Sequence, residues 1–245
     1  EGMHNVIRRY KDTSIRSSML YEDAHLSDYG REQCNNFAIN TGIEINPELI
    51  VVSPMRRTLQ TATLCFPHLI NKIPWVSLEH IRELASTSPY NRRIPIEEHQ
   101  ANYTHVDFSN DAHANIDPIY KFLIENKQTH ETVDDVSIRV NRFIEWLDTR
   151  PEREIVVVCH KRYLETLFDE VLTNQQLNIL YCNSNNCNNN SGNNGSSNSG
   201  NSTSVDYSGD SNNNGGSTAF NNCEMRSVVL LLPESSSLSQ SQSSQ

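Results

Sequence analysis

The sequence has few basic residues and no long apolar run. It contains 20 Lys and Arg against 30 Asp and Glu, which gives a formal net charge of −10 at pH 7. This balance argues against nucleic acid and membrane surfaces as partners, because their phosphate groups would be repelled at long range. A small phosphorylated ligand stays compatible, since its pocket needs only local positive charge. No apolar run reaches the roughly 18 residues of a membrane-spanning helix, so no such helix is expected.

Motifs built on cysteine or on a glycine-rich phosphate loop are also lacking. The six cysteines form no CxxC pair, which is typical of reduced thiols in a cytoplasmic protein. None has an Arg six positions later, so the Cys-x5-Arg loop of cysteine-based phosphatases is absent, and GxxxxGK[ST] is absent as well. His99, His105 and His113 are spaced too loosely to favour a metallohydrolase. No cofactor is therefore expected.

The shortage of apolar residues is concentrated in two segments. The hydrophobic fraction of the whole chain is 36%, below the usual value for a globular protein. Residues 183–222 are rich in Asn and Ser, and residues 234–245 are mostly Ser and Gln. Such segments bury too little apolar surface to offset the entropy of ordering them, which predicts a disordered insert and a disordered tail. We expect residues 1–182 to form one domain, with its last strand at 223–233.

Three runs of Val, Ile and Leu predict strands that are buried on both faces: "ELIVVSP" (48–54), "EIVVVCH" (154–160) and "RSVVLLLP" (226–233). Helical patterns lie between them. Ser27 is a candidate N-cap, Pro54 stands at a predicted first turn, and the apolar spacing predicts helices at 133–149 and after His160. Strands that alternate with helices indicate an α/β domain with a largely parallel sheet.

Two of these predicted strands end in side chains that can bind or transfer phosphate. Ligands of such sheets lie at the carboxyl ends of the strands, which selects "SPMRR" after the first run and "CHKRY" after the second. Arg57 could meet phosphate or carboxylate oxygens from the first turn of a helix. The adjacent Arg56 could equally face solvent, and spacing does not decide between the two. His160 at the strand exit and the carboxylate of Glu83 in "IRELAS" complete the candidate group.

Six stretches, taken in order, resemble the histidine phosphatase superfamily, also called phosphoglycerate mutase-like proteins: "EGMHNV", "LSDYGREQ", "VVSPMRRTLQTA", "IRE", "VVVCH" and "NCEMRSVVL". The most specific stretch is "SPMRRTLQTA". The resemblance runs from residue 1 to about residue 232, interrupted by the Asn-rich insert. It implies a three-layer sandwich in which helices flank a mostly parallel central sheet.

The resemblance also implies phosphoryl transfer through a phosphohistidine. In this superfamily a nucleophilic His attacks phosphorus, a carboxylic acid protonates the leaving oxygen, and water hydrolyses the phosphoenzyme. Matched position by position, Arg57 corresponds to a phosphate-binding arginine and His160 to the second histidine of the site. Asn5 corresponds to the Asn six places after the nucleophile, and Glu83 to the proton donor. Arg93 in "PYNRR" is a further candidate for substrate binding, with an exposed surface role as the other interpretation.

The Arg-His-Gly tripeptide that carries the family's nucleophile does not occur in residues 1–245. By the motif order it is expected immediately before Glu1, at the end of a first strand that is also missing. The sequence therefore predicts part of a longer phosphomonoester phosphatase, inactive as it stands. The alternatives are a non-catalytic phosphate-binding or scaffold protein and a phosphoglycerate mutase-type phosphotransferase. The substrate's identity and the oligomeric state stay open.

Overall fold

A computed structural model of the chain describes residues 1–10, 14, 17–40, 45–111, 115–172, 179–182 and 227–230. The insert predicted for 183–222 and the tail predicted for 234–245 lie outside these residues. The described strands are Leu49–Val52 (β1), Trp75–Ser77 (β2), Ile155–Val158 (β3), Ile179–Cys182 (β4) and Ser227–Leu230 (β5). The α-helices are Met3–Arg8 (α1), Asp28–Asn40 (α2), Arg56–Cys65 (α3), Ile96–Asn102 (α4), Pro118–Glu125 (α5), Val133–Asp148 (α6) and Lys161–Glu165 (α7). A π-helix, Thr166–Leu172, continues α7, and short 3-10 turns lie at Met19–Tyr21, Pro67–Leu69, Glu79–Ile81, Pro89–Asn91 and Ser109–Asp111.

Three parallel strands form the central sheet in the order β2, β1, β3. The first two predicted apolar runs are confirmed as β1 and β3. Sequence periodicity did not predict β2, because it is only three residues long and follows Pro74 directly. Its register nevertheless places Trp75 opposite Ile50 and Ser77 opposite Val52. The sheet therefore brings the carboxyl ends of three strands to one edge.

The central strand β1 divides the apolar core in two. All four of its side chains are fully buried, and they alternate between the faces of the sheet because successive residues of a strand point in opposite directions. Leu49 and Val51 pack in one cluster with Val140 and Phe143 of α6. Ile50 and Val52 pack in the other, with residues of α2 and α3 such as Cys34, Leu59 and Ala62. The domain is an α/β sandwich with helices on both faces of a parallel sheet.

Where the sequence predicts a helix, its boundaries follow the predicted signals with one exception. Ser27 caps α2 by accepting a hydrogen bond from the backbone N–H of Gly30 at 3.0 Å. The predicted helix at 133–149 is α6, and the helix predicted after His160 is α7 with its π-helical continuation. Pro54 does not stand in a helical turn: Met55 is still extended (φ −81°, ψ 140°) and α3 begins at Arg56. The chain thus leaves β1 through a short extended link before it turns into α3.

The strand predicted at 223–233 contains β5, which pairs with β4 in an antiparallel ladder that joins Ile179 to Leu230 and Cys182 to Ser227. Among the described strands, these two pair with each other and not with the central sheet. No helix in the described part of the chain is long and apolar enough to cross a membrane.

Candidate active site

The two stretches selected at predicted strand ends, "SPMRR" and "CHKRY", meet at the carboxyl edge of the sheet. Ser53 follows β1 and His160 follows β3, and their strands are direct neighbours. The Nε2 atom of His160 and the hydroxyl of Ser53 are joined by a hydrogen bond of 2.8 Å, and the backbone N–H of Ser53 donates to the carbonyl of Val158 at 3.0 Å. Both residues are buried. The parallel sheet therefore fixes the imidazole of His160 beside the start of α3.

Arg57 extends from the first turn of α3 into the same region, and its side chain is buried. Its guanidinium donates to the carbonyl of Tyr90 at 3.3 Å and to the amide oxygen of Asn91 at 3.5 Å. Both acceptors are neutral, so these bonds orient the guanidinium without neutralising it. Burial lowers the pKa of Arg57, and nearby Glu83 and Asp23 oppose that shift. A buried cation held in this way is suited to bind an anion.

Glu83 is half-buried and is held by two backbone donors. Its Oε1 atom accepts hydrogen bonds from the N–H groups of Leu84 and Arg162, each at 3.1 Å. Burial raises the pKa of Glu83, against the opposing effect of Arg57 and of the backbone donors. A carboxyl group whose pKa is raised can hold a proton closer to neutral pH, and it is then able to donate that proton to a leaving oxygen.

The histidines of the site are neutral. Burial, followed by the charge of Arg57 and the proximity of His4, lowers the pKa of His160 well below its usual value. Burial, Arg57 and Arg8 lower the pKa of His4 to about 2. The His4 ring stacks on Tyr90 with 6.0 Å between ring centroids, and its buried Nδ1 has no hydrogen-bond partner in the described part of the chain. His4 and His160 thus present neutral imidazoles close to a cationic guanidinium.

The two predicted substrate-binding residues have different surroundings. Asn5 follows His4 on α1 and is half-buried, with its backbone N–H donating to the carbonyl of Gly2 at 2.9 Å. Arg93 is buried, and its guanidinium donates from Nε to Glu79 at 2.7 Å and from NH1 to the carbonyl of Ile94 at 2.8 Å. Arg93 therefore belongs to a group of charges around Glu79. A direct contact of either residue with substrate stays a prediction.

The group of charges around Glu79 includes a buried ion pair that the sequence did not indicate. Arg82 binds Asp117 through two hydrogen bonds of 2.6 and 2.9 Å and donates to the carbonyl of Asn91 at 2.8 Å. Asp117 also accepts from the backbone N–H of Arg93 at 2.8 Å. This pair ties the segment before Glu83 to the loop that carries Tyr90 and Asn91, which are the neighbours of Arg57.

Asp23 orients the helix that carries Arg57. It is fully buried and has a positive φ of 46°, in the left-handed region. One carboxylate oxygen accepts from the backbone N–H of Arg56 at 2.8 Å, which satisfies a free donor at the start of α3. The other oxygen is 2.8 Å from Nε2 of His99. Sequence patterns did not predict this role, because Asp23 lies far in the chain from Arg56 and His99, its two partners.

The histidines considered for a metallohydrolase are separated by the fold. His99 bonds to Asp23, whereas His105 packs edge-on against Trp75 with 4.9 Å between ring centroids. His113 lies outside the described residues. Among the residues that the structure does describe, no three or more His, Cys, Asp or Glu side chains come together as metal ligands.

The chain belongs to the histidine phosphatase superfamily, because the sequence model of branch 1 of that superfamily matches residues 18–191. It is 31% identical over 196 residues to "Phosphoglycerate mutase-like protein" of Arabidopsis thaliana, which covers 68% of this chain and 70% of that protein. It is 28% identical over 200 residues to "Phosphoglycerate mutase-like protein 1" of the same plant, with 67% and 66% covered. Arg57 and His160 both lie within the residues that the superfamily model matches.

Solved structures with detectable similarity are more distant. The alpha-ribazole phosphatase from Shigella flexneri is 20% identical, with a TM-score of 0.42 over 67% of this chain and 72% of its own. A mycobacterial glucosyl-3-phosphoglycerate phosphatase is also 20% identical, with a TM-score of 0.38 over 62% and 69%. Likenesses at this level carry no argument about the activity of this chain.

Proposed function

We propose that the full-length protein carrying this chain hydrolyses a small phosphomonoester through a phosphohistidine intermediate. The observation that carries this proposal is the convergence of three groups at the carboxyl edge of the sheet. These are the buried guanidinium of Arg57 with neutral acceptors, the neutral imidazole of His160, and the carboxyl of Glu83 with a raised pKa. Phosphoryl transfer chiefly requires positioned positive charge and a proton donor for the leaving group, and these three groups supply both.

Each group has a defined part in the proposed reaction. Arg57 and His160 bind the non-bridging phosphate oxygens while the nucleophilic imidazole forms a bond to phosphorus. The bond from phosphorus to the ester oxygen breaks, and Glu83 gives its proton to that oxygen. The resulting Glu83 carboxylate then takes a proton from water, and the water oxygen bonds to phosphorus as the bond from phosphorus to the histidine nitrogen breaks. Inorganic phosphate leaves and the free imidazole is regenerated. We propose that the nucleophile belongs to the superfamily's Arg-His-Gly tripeptide, upstream of Glu1.

The proposal is tested by the hydrolysis of p-nitrophenyl phosphate between acidic and neutral pH by the full-length protein. We expect turnover in the wild type and a loss on the order of 10²-fold in His160→Ala, because one preorganised partner of the phosphate is removed. His68→Ala is the matched control, since His68 is exposed on the 3-10 turn Pro67–Leu69. Equal turnover in His160→Ala and His68→Ala would remove His160 from the site.

Assays on the same full-length protein distinguish hydrolysis from two alternative functions. A non-catalytic phosphate-binding protein is favoured by the neutral acceptors of Arg57, and it would bind inorganic phosphate without hydrolysing the ester. A phosphoglycerate mutase-type phosphotransferase is suggested by the names of the plant relatives. It would convert 3-phosphoglycerate to 2-phosphoglycerate faster than it releases inorganic phosphate.

A further inference from the structure

The backbone that carries Glu83 is gathered by one buried arginine on another element. Glu83 lies after the 3-10 turn Glu79–Ile81, outside regular secondary structure. Arg139, in the middle of α6, donates from one terminal nitrogen to the carbonyls of His80 and Arg82 at 2.9 and 3.0 Å. Its other terminal nitrogen donates to the carbonyl of Glu83 itself at 3.3 Å. Three carbonyls of one short segment are thus held by a single guanidinium.

The remaining donors of Arg139 bind a buried carboxylate that holds the other side of the segment. Nε and a terminal nitrogen donate to the two oxygens of Glu131 at 3.0 and 2.8 Å. Glu131 also accepts from the backbone N–H of Ala85 at 2.8 Å, and its own N–H donates to the carbonyl of Ala85 at 2.9 Å. The Glu131–Arg139 pair therefore binds the chain both before Glu83 and two residues after it.

Every N–H group of the Arg139 guanidinium has an acceptor. Arginine has five N–H groups, and the five acceptors named above account for them. Arg139 and Glu131 are both buried, so neither charge is screened by solvent. The guanidinium also lies 5.8 Å from the ring centroid of Tyr163 in α7, next to Arg162, whose N–H binds Glu83. The two structures that hold Glu83, its own segment and the start of α7, are therefore in contact with Arg139.

We propose that the Glu131–Arg139 pair is a positioning device for the proton donor, and that Arg139 acts on the reaction only through the placement of the Glu83 carboxyl. This inference rests on the proposed function. A displacement of about 1 Å at a catalytic group can reduce a rate by on the order of 10². Removing the fork of Arg139 would release three carbonyls at once and let the Glu83 segment shift by such an amount.

The chemistry of the leaving group distinguishes this role from a purely structural one. An alkyl phosphate such as β-glycerophosphate releases a strongly basic alkoxide and needs a proton from the enzyme. 2,4-Dinitrophenyl phosphate releases a stable phenolate and does not. Loss of the proton donor's position should therefore reduce kcat/KM for the alkyl ester selectively, whereas general damage to the phosphate site should reduce kcat/KM for both esters equally.

The experiment compares both esters in the full-length wild type, Arg139→Lys, Glu131→Gln and Arg142→Lys. Lysine keeps the charge opposite Glu131 but has three donors in place of five. Glutamine keeps the shape of Glu131 but offers only one acceptor oxygen. Arg142 is exposed on the same helix and is the matched control. Thermal unfolding and the binding of inorganic phosphate are measured on every variant.

We expect Arg139→Lys and Glu131→Gln to lower kcat/KM for β-glycerophosphate by about 30- to 100-fold. This ratio covers binding and phosphoryl transfer to the enzyme and excludes the later hydrolysis step that both esters share. The affinity for inorganic phosphate should hardly change, the loss of kcat/KM for 2,4-dinitrophenyl phosphate should be several times smaller, and Arg142→Lys should match the wild type. Equal losses for both esters, no loss in either folded variant, or failure of both variants to fold would overturn the positioning role. An inactive wild type would instead overturn the proposed function, so the two failures are distinguishable.

Discussion

At the residue scale, the adjacent arginines Arg56 and Arg57, which residue spacing alone does not distinguish, have different surroundings. Arg57 is buried with neutral acceptors, whereas Arg56 is only half-buried and contributes its backbone N–H to Asp23. The difference follows from the position of the two residues in the first turn of α3, which starts immediately after the extended Met55. We therefore propose the side chain of Arg57, rather than that of Arg56, as the one that contacts a bound phosphate.

Replacement of Arg57 by lysine should reduce kcat/KM for a phosphomonoester by about 10²-fold or more, because lysine cannot reproduce the planar fork of donors. Steady-state kinetics on p-nitrophenyl phosphate measures this effect. Arg56→Lys is the matched control and should stay within about threefold of the wild type. A larger loss in Arg56→Lys than in Arg57→Lys would show that Arg56, and not Arg57, makes the phosphate contact.

How much of the site the sequence predicts depends on the range of the contacts. His160 and the pair Arg56 and Arg57 were selected because they follow buried strands, and that rule needs only local patterns. The resemblance to the superfamily then singled out Arg57. The role of Asp23 depends on contacts between segments that are distant in sequence. His4 carried no signal of this kind, since one His in a polar stretch does not show which buried ring or cation it will meet.

At the scale of elements, α6 is well encoded in its own sequence. Its apolar stripe predicts a buried face, and its first turn holds a reciprocal cap that the apolar pattern did not reveal. The hydroxyl of Thr132 accepts from the N–H of Asp135 at 3.2 Å, and the carboxylate of Asp135 accepts from the N–H of Thr132 at 2.8 Å. Since α6 carries Arg139, a cap that fixes where α6 begins also helps to fix the position of Arg139 beside the Glu83 segment.

Thr132→Ala should lower the free energy of unfolding by about 1 kcal/mol, because the N–H of Asp135 loses its acceptor at the exposed start of α6. Urea unfolding followed by circular dichroism measures the change. Thr132→Ser retains the hydroxyl and should recover most of the stability. If serine destabilised the protein as much as alanine, the hydroxyl would have no capping role.

The strands show where sequence patterns lose their power. β1 and β3 are continuous apolar runs with four residues each in the sheet, and both were predicted. β2 has three residues, and its place at the edge of the sheet is set by pairing with β1, which is a long-range contact. The last apolar run was assigned to the same domain, and the structure pairs Ser227–Leu230 with β4 rather than with β1, β2 or β3.

For the whole molecule, the neutral state of buried His160 links stability to pH. The pKa of His160 in the folded protein lies well below that of the unfolded chain, which is close to 6.5. Below about pH 6.5 the unfolded chain therefore binds a proton that the folded chain does not, and the free energy of unfolding falls as the pH falls. Asp111 acts in the opposite direction, since burial raises its pKa to about 6.

The contribution of His160 is isolated by comparison with His160→Gln. Between about pH 7 and pH 5.5 the wild type should lose about 1 kcal/mol more stability than the variant, because only the wild type has this one-proton difference. Urea unfolding of both proteins at the two pH values measures the difference. Parallel pH dependence in the two proteins would show that His160 is protonated equally in the folded and unfolded states.

The carboxylate of Asp23 connects three parts of the chain through hydrogen bonds. It binds the first amide of α3, the side chain of His99 in α4 and, at 3.4 Å, the amide of Ile94. If any one of these contacts opens, the buried carboxylate of Asp23 loses a hydrogen-bond donor. The free energy needed for that local opening is therefore higher than it would be without Asp23. The start of α3 and the segment around Ile94 should therefore open as one cooperative unit. The guanidinium of Arg57 would then leave its position only when the neighbouring loop of Tyr90 and Asn91, which orients it, also opens.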